Sequence, residues 1–230
     1  MHTVTKPDAR LCTAIPYLKR GGRVADVGTD HAYLPIYLVS EGIVSSAIAS
    51  DINQGPIDSA RANIAQAGLS HVISTLHTDG LHGVEAFCPD DVLIFGMGGE
   101  LIATILSEAP FVKSKEIGLI LQPMSKASVL REWLCENGFE ILGESLSFVD
   151  KYYQTVYARY CGRVQSYTPL ELQVGRLNIL NRPPLFEAFI KHEIQVWSRI
   201  LKGKEQSERA DVTVERSMLA QLNQLLEESK

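Results

Sequence analysis

The stretch Val24-Ala25-Asp26-Val27-Gly28-Thr29-Asp30-His31-Ala32 decides the fold. An apolar run suited to a strand ends on an acid, a glycine-containing turn follows, and a helix begins. In α/β sheets the crevice beyond the carboxyl ends of the strands is where ligands bind. A glycine there brings the backbone close to a ligand that a Cβ would hold away. Outward from this stretch, Arg23–Val27, Ala47–Ser50, Val72–His77, Asp91–Phe95 and Glu116–Gln122 predict strands. Residues 34–41, 56–67, 99–108 and 126–137 predict the helices between them. Pro35 and Pro56 fall near helix starts, where a missing N–H costs nothing. Gly68 and Gly138 fall just past helix ends, where a left-handed residue is wanted. Strands alternating with helices mean βαβ units and a doubly wound parallel sheet with right-handed crossovers.

After Asn137 the alternation stops. Phe139–Val149 and Tyr152–Tyr160 are β-rich runs joined by Asp150–Lys151 with no helix between them. They predict an antiparallel hairpin at one edge of the sheet. From about Thr168 the chain turns helical. Phe186, Ile190, Ile194, Trp197 and Leu201 recur at spacings of three and four, as do Val214, Met218, Gln221/Leu222 and Leu225. Pro183–Pro184 open the first stripe and Gly203 interrupts the pair, which predicts an antiparallel, coiled-coil-like helical hairpin. The division that follows is a ligand-binding domain over residues 1–165 and a helical appendage over 166–230.

Charged residues make up 21% of the 230 and hydrophobic ones 45%, enough for a packed core, so disorder is excluded. The net charge of -5 gives no global signature of nucleic-acid binding. Locally, however, residues 182–204 hold Arg182, Lys191, Arg199, Lys202 and Lys204 against two acids, and Lys19, Arg20 and Arg23 cluster near the first strand. Either set suits phosphate contacts. The four cysteines, Cys12, Cys88, Cys135 and Cys161, are widely spaced and lack a CxxC pair, so neither a metal nor a disulfide framework is expected. No apolar run approaches the roughly 20 residues that span a bilayer. A soluble cytoplasmic protein, with no membrane association and no obligate protein partner, is the expectation.

Further acids stand at neighbouring strand ends. Asp51, in Ser50-Asp51-Ile52-Asn53, is placed to accept hydrogen bonds from a ribose diol, or else to cap the next helix. Asp79, in Thr78-Asp79-Gly80, is placed to accept from an adenine amine, or else to close an Asx turn. The glycines of G-x-G-x-x-G are not filled, since Asp30 and Ala32 follow Gly28, and an acid in that turn repels a pyrophosphate. S-adenosylmethionine carries no phosphate but bears a sulfonium and an ammonium, which Asp26 and Asp30 suit. The fourth strand ends in Phe95-Gly96-Met97-Gly98-Gly99, where enzymes that methylate amino groups of nucleic acids often carry Asn/Asp-Pro-Pro-Tyr/Phe. A glycine turn there leaves positioning to backbone groups. Leu121-Gln122-Pro123-Met124, ending the fifth strand, predicts another wall of the pocket.

Taken together, Asp26-Val27-Gly28-Thr29-Asp30-His31-Ala32-Tyr33-Leu34-Pro35, Ser50-Asp51-Ile52-Asn53, Thr78-Asp79-Gly80-Leu81, Gly96-Met97-Gly98-Gly99 and Leu121-Gln122-Pro123 resemble the bacterial tRNA adenine-22 N1-methyltransferases, the TrmK family. The resemblance covers nearly the whole chain, because that family also ends in a helical appendage, and Asp-His-Ala-Tyr-Leu-Pro is its discriminating part. The chain departs from the family at Met124, where Asn is the associated residue. The resemblance implies a class I methyltransferase sheet, S-adenosylmethionine as the cofactor without a metal, and adenine N1 in the D-arm of tRNA as the methyl acceptor. Asp26, Gly28, Thr29, Asp30, His31, Asp51, Ile52, Asp79, Gly80, Gly96, Met97 and Gly98 are the expected cofactor residues. Asp30, His31 and Tyr33 are expected beside the reacting base, with Gln122, Pro123, Arg182, Lys191, Arg199 and Lys202 holding RNA. A methyltransferase for another RNA or a small molecule shares all these cofactor residues, and a non-catalytic S-adenosylmethionine- or RNA-binding module is a second alternative. A NAD-dependent oxidoreductase is the most distant, because the phosphate-binding glycines are absent.

Overall fold

A computed structural model describes residues 6–207 and 211–228. The outer ends of both expected segments, 1–5 and 229–230, lie outside the described residues. The chain divides into two compact units, Met1–Ser166 and Tyr167–Lys230.

The first unit opens with a short helix α1, Ala9–Cys12, and continues β1 Arg23–Val27, α2 Tyr33–Ser40, β2 Ser46–Asp51, α3 Gln54–Gln66, β3 Ile73–His77, β4 Asp91–Gly98, α4 Gly99–Ser107, β5 Gly118–Ser125, α5 Ala127–Glu136, β6 Phe139–Phe148 and β7 Tyr152–Tyr160. The sheet order is β3-β2-β1-β4-β5-β7-β6. The first five strands run parallel, and β7 lies antiparallel between β5 and β6. The expected hairpin is therefore threaded so that its second strand joins the parallel sheet. Strands β1, β2, β4 and β5 are buried almost throughout, as helices on both faces require. Strand β6 instead alternates, as an edge strand does. Gly68 and Gly138 take positive φ at the ends of α3 and α5, as expected.

Two features of the first unit differ from expectation. Strand β4 does not stop at Phe95. It runs on to Gly98 with register shifts on either side of Met97, so the glycine run is a bulged strand rather than a turn. Strand β5 likewise continues to Ser125, but β7 pairs with it only from Gly118 to Leu121. Beyond that point the sheet splits, while β6 and β7 stay paired to Phe148 and Tyr152 and form a two-stranded arm.

In the second unit α6 is Pro169–Val174, α7 Arg176–Asn181, α8 Phe186–Lys204 and α9 Thr213–Glu227. A capping box of Thr168 and Glu171 starts α6. Helices α8 and α9 pack together, with Phe186, Phe189, Ile190, Met218, Leu222 and Leu225 buried. Lys204 pairs with Glu215 at 2.6 Å and Arg216 with Glu205 at 3.0 Å across their junction. Two expectations are corrected. Gly203 lies inside the last turn of α8, and Val214 is 63% exposed because the buried stripe begins with the paired Glu215.

Candidate active site

The carboxyl ends of β1, β2 and β4 enclose a cleft of about 350 Å³ lined by Arg10, Leu11, Asp26, Gly28, Asp30, Tyr33, Leu34, Asp51, Phe95, Gly96 and Met97. Asp26 sits on its floor, 7% exposed, and accepts a 2.6 Å hydrogen bond from the Thr29 hydroxyl. Burial raises its carboxyl from the ordinary 3.8 to about 6, against the pull of Thr29; Asp30 and Asp51 raise it further and Arg10 lowers it. Thr29 is itself buried, so it orients Asp26.

The turn after β1 is pinned and strained. The Gly28 and Thr29 amides both donate to the Ser50 carbonyl, at 2.8 and 2.9 Å. Gly28 has φ +74°, and a Cβ on it would meet the Met97 methyl at 2.2 Å, so what approaches this glycine is a side chain from β4. His31 and Ala32, neither a glycine, both have φ 58°, a conformation costing about 1–2 kcal/mol per residue. Asn63 of α3 donates to the His31 carbonyl at 3.0 Å and holds the turn. His31 Nε2 lies 3.2 Å from Asp30 Oδ1, and its ring tilts against Tyr33 with centroids 5.5 Å apart. All three side chains face solvent at the rim, with Tyr33 54% exposed.

At the tip of β2, Asp51 lines the cleft and its Oδ1 accepts from the Asn53 amide at 2.7 Å, an Asx turn. The alternative helix cap is thereby settled against Asp51, since the residue before α3 is Asn53. Ile52 follows, 57% exposed, with its carbonyl 2.8 Å from His77 Nε2. Asp79 and Gly80 stand at the end of β3, outside the lining residues, as do Thr29, His31, Ile52 and Gly98.

The structure corrects the reading of Gln122 and Pro123 as pocket wall. Both are buried, in a stretch of β5 that pairs with β4 alone, and Gln122 is covered by Arg10, Thr13 and Thr155. The Gln122 amide instead fills the split between β5 and β7: its Nε2 donates to Thr155 Oγ1 at 2.8 Å and to the Arg10 carbonyl at 3.1 Å. Its Oε1 accepts from Arg10 Nη1 at 3.2 Å. Thr13 and Thr155 hydroxyls lie 2.7 Å apart beside it. This network seats the N-terminal segment and delivers Arg10 to the cleft, where its guanidinium also lies over the Tyr153 ring at 5.5 Å. Arg10 and Asn63 are the residues that sequence reading missed. An isolated Arg in a short helix and an isolated Asn in a long one carry no motif.

In the second unit the expected RNA residues divide. Arg182 donates to the Glu228 carbonyl at 2.6 Å, and Lys191 pairs with Glu187 at 2.5 Å. Arg199 and Lys202 are exposed and make no ion pair among the described residues. Lys191, Arg199 and Lys202 fall within about 80° of one another around α8, on one face. Among the described residues no cluster of His, Cys, Asp and Glu is arranged to hold a metal, and no helix is long and apolar enough to cross a membrane.

Comparison with known proteins follows the same lines. Residues 8–156 match a methyltransferase domain family. The tRNA (adenine(22)-N(1))-methyltransferase of Bacillus subtilis is 37% identical over 173 residues, covering 75% of this chain and 73% of that protein. The solved structure of the B. subtilis m1A22 tRNA methyltransferase TrmK superposes with a TM-score of 0.78 at 32% identity, covering 96% of each chain. A Streptococcus pneumoniae protein solved in complex with S-adenosyl-L-methionine superposes with a TM-score of 0.84 at 29% identity, covering 95% of this chain and 99% of that one. By fold, strand-end acids and extent of match, the chain belongs to the tRNA (adenine(22)-N(1))-methyltransferase family.

Proposed function

We propose that the protein transfers a methyl group from S-adenosylmethionine to N1 of adenine 22 in the D-arm of tRNA, acting in the cytoplasm. The observation that carries this reading is the cleft itself. Three carboxylates, Asp26 buried, Asp51 at a strand tip and Asp30 at the rim, line one cleft with the Arg10 guanidinium where β1, β2 and β4 end. That donor set fits a ligand bearing an ammonium, a carboxylate and a ribose diol, and it opposes a pyrophosphate.

In this reading Asp51 accepts from the diol, Asp26 balances the ammonium and Arg10 takes the carboxylate. Gly96 and Met97 border the reacting centre with the bulged backbone of β4. When bound, the cofactor supplies a methyl group on a positively charged sulfur, activated without help from an acid or base. Adenine N1 has a free lone pair at neutral pH, so no side chain needs to remove a proton, and alignment carries the rate. The base becomes cationic as the bond forms, and Asp30 at the rim lowers the energy of that charge. His31 and Tyr33 offer exposed rings on which an unstacked base rests. Residues 1–165 would then serve as the catalytic domain, and 166–230 would grip RNA through the basic face of α8.

The test is incubation with labelled S-adenosylmethionine and unmodified tRNA, followed by nucleoside analysis. N1-methyladenosine is the expected product, and N6-methyladenosine would refute the acceptor atom. The single-turnover rate should fall only in the acid range, where N1 itself is protonated. His31→Ala should lower the rate without changing that profile, whereas loss of a pH 6–8 rise in this variant would make His31 a base.

A further inference from the structure

The β6–β7 arm is not used by any step above, yet it projects from the same end of the sheet as the cleft. Strand β6 runs in the same direction as β5, with β7 between them, so its Phe148 end lies at the carboxyl end of the sheet. The tip is anchored rather than loose. Lys151 Nζ donates to the Met124 carbonyl at 3.4 Å and lies over the Tyr153 ring at 5.3 Å, while the Tyr153 hydroxyl donates to Asp150 at 2.7 Å. On this anchored turn Phe148 is 50% exposed and Val149 46%, with Met124 39% exposed alongside. Phe148 rests against Tyr152, with ring centroids 4.9 Å apart. The ribbon is buried along its base, at Tyr153, Thr155 and Ser147, but Phe148 at its end stays half exposed and adds little to the core.

Resting on the tRNA reading above, we propose that Phe148 is a stacking platform for a nucleotide that neighbours the target adenine in the bound tRNA. Single-stranded RNA is held by aromatic faces that take unstacked bases together with nearby cations, and this tip offers both, with Lys151 on the turn beside Phe148. In the sheet order the arm lies two to three strands from β4, and paired strands are spaced about 4.8 Å apart. That separation is too wide for the reacting base and suits a base next to it along the strand. Holding the neighbour would keep the target unstacked while it enters the cleft, offsetting part of the cost of exposure.

The experiment is steady-state methylation of unmodified tRNA by the full chain and by Phe148→Ala, Phe148→Leu and Phe148→Trp, with S-adenosylmethionine affinity measured on each. Ala and Leu should raise KM for tRNA about 5- to 150-fold, the range found when a stacked base loses its aromatic partner. Trp should restore it, and cofactor affinity should not move. Leu separates stacking from burial, because it keeps an apolar contact with Tyr152 but offers no ring face. An unchanged KM in Phe148→Ala, or full rescue by Leu, would overturn the proposal. A wild-type chain that leaves tRNA unmethylated would sink the underlying reading and this proposal with it.

Discussion

The parallel half of the sheet and its antiparallel end finish in opposite ways. Strands β1, β2 and β4 end in a buried acid, an Asx turn and a bulge, all facing one cleft. Strands β6 and β7 part from β5 and end in an exposed aromatic turn. The first arrangement stores unfavourable terms, a desolvated carboxylate and two left-handed residues, which persist because surrounding hydrogen bonds over-determine them. The second has no left-handed residue at its tip, where its one such cost is the buried Ser147 hydroxyl without a hydrogen-bond partner among the described residues. Left-handed backbone thus collects in the turn beside the cleft, and the arm instead ends in a half-exposed aromatic ring.

This contrast breaks down first at the base of the arm, where its stability is concentrated. Arg131 of α5 and Glu144 of β6 form a fully buried ion pair at 2.7 Å, with Arg131 also donating to Gln154 at 2.8 Å. Arg131→Met leaves a buried carboxylate uncompensated, and urea denaturation should show a loss of about 3–5 kcal/mol. A change below 1 kcal/mol would mean that the arm is held by other contacts.

In the parallel half, Asp51→Ala should weaken S-adenosylmethionine binding by about 1.5–3 kcal/mol, as for lost hydrogen bonds to a charged group. Calorimetry is the measurement, and unchanged affinity would remove Asp51 from the site. The folding free energy should fall by about 1 kcal/mol, from the lost Asx turn to Asn53.

Asp26 sharpens the comparison through pH. Its carboxyl is raised to about 6 from 3.8, so the ligand-free fold gains stability from its proton below about pH 4 and loses that gain as pH rises through 6. A cationic ligand favours the ionised form, so binding has the opposite slope. Cofactor affinity at pH 5 should be about tenfold below its plateau above pH 7, and Asp26→Asn should flatten the profile while lowering the plateau. A wild-type affinity flat from pH 5 to 8 would place Asp26 away from the ligand's charge.

The smallest expected effect concerns the strained turn. Asn63→Ala removes the bond to the His31 carbonyl, and thermal unfolding should report a loss of about 1 kcal/mol. Hydrogen exchange should localise faster opening to residues 30–33. Uniform exchange changes across the sheet would show that Asn63 supports packing in general.

The alternation of apolar runs with helical stretches, the acids at strand ends and the hairpin after Asn137 were all legible in the sequence, because each is a local pattern of period, turn chemistry and polarity. The strand tips that carry Asp26 and Asp51 follow from that pattern alone. Three things belonged to the tertiary structure. Gly96–Gly98 extend β4 instead of ending it, because pairing with Met97 and Gly98 is supplied by β5 across the chain. Gln122 turned inward because β5 and β7 part beyond Leu121 and leave a buried polar gap that an amide can satisfy. Arg10 entered the cleft because that same amide fixed a segment 112 residues away. Local sequence sets which elements form and which chemistry stands at their ends. The partners of buried polar groups are chosen only when distant segments are brought together and each donor must find an acceptor.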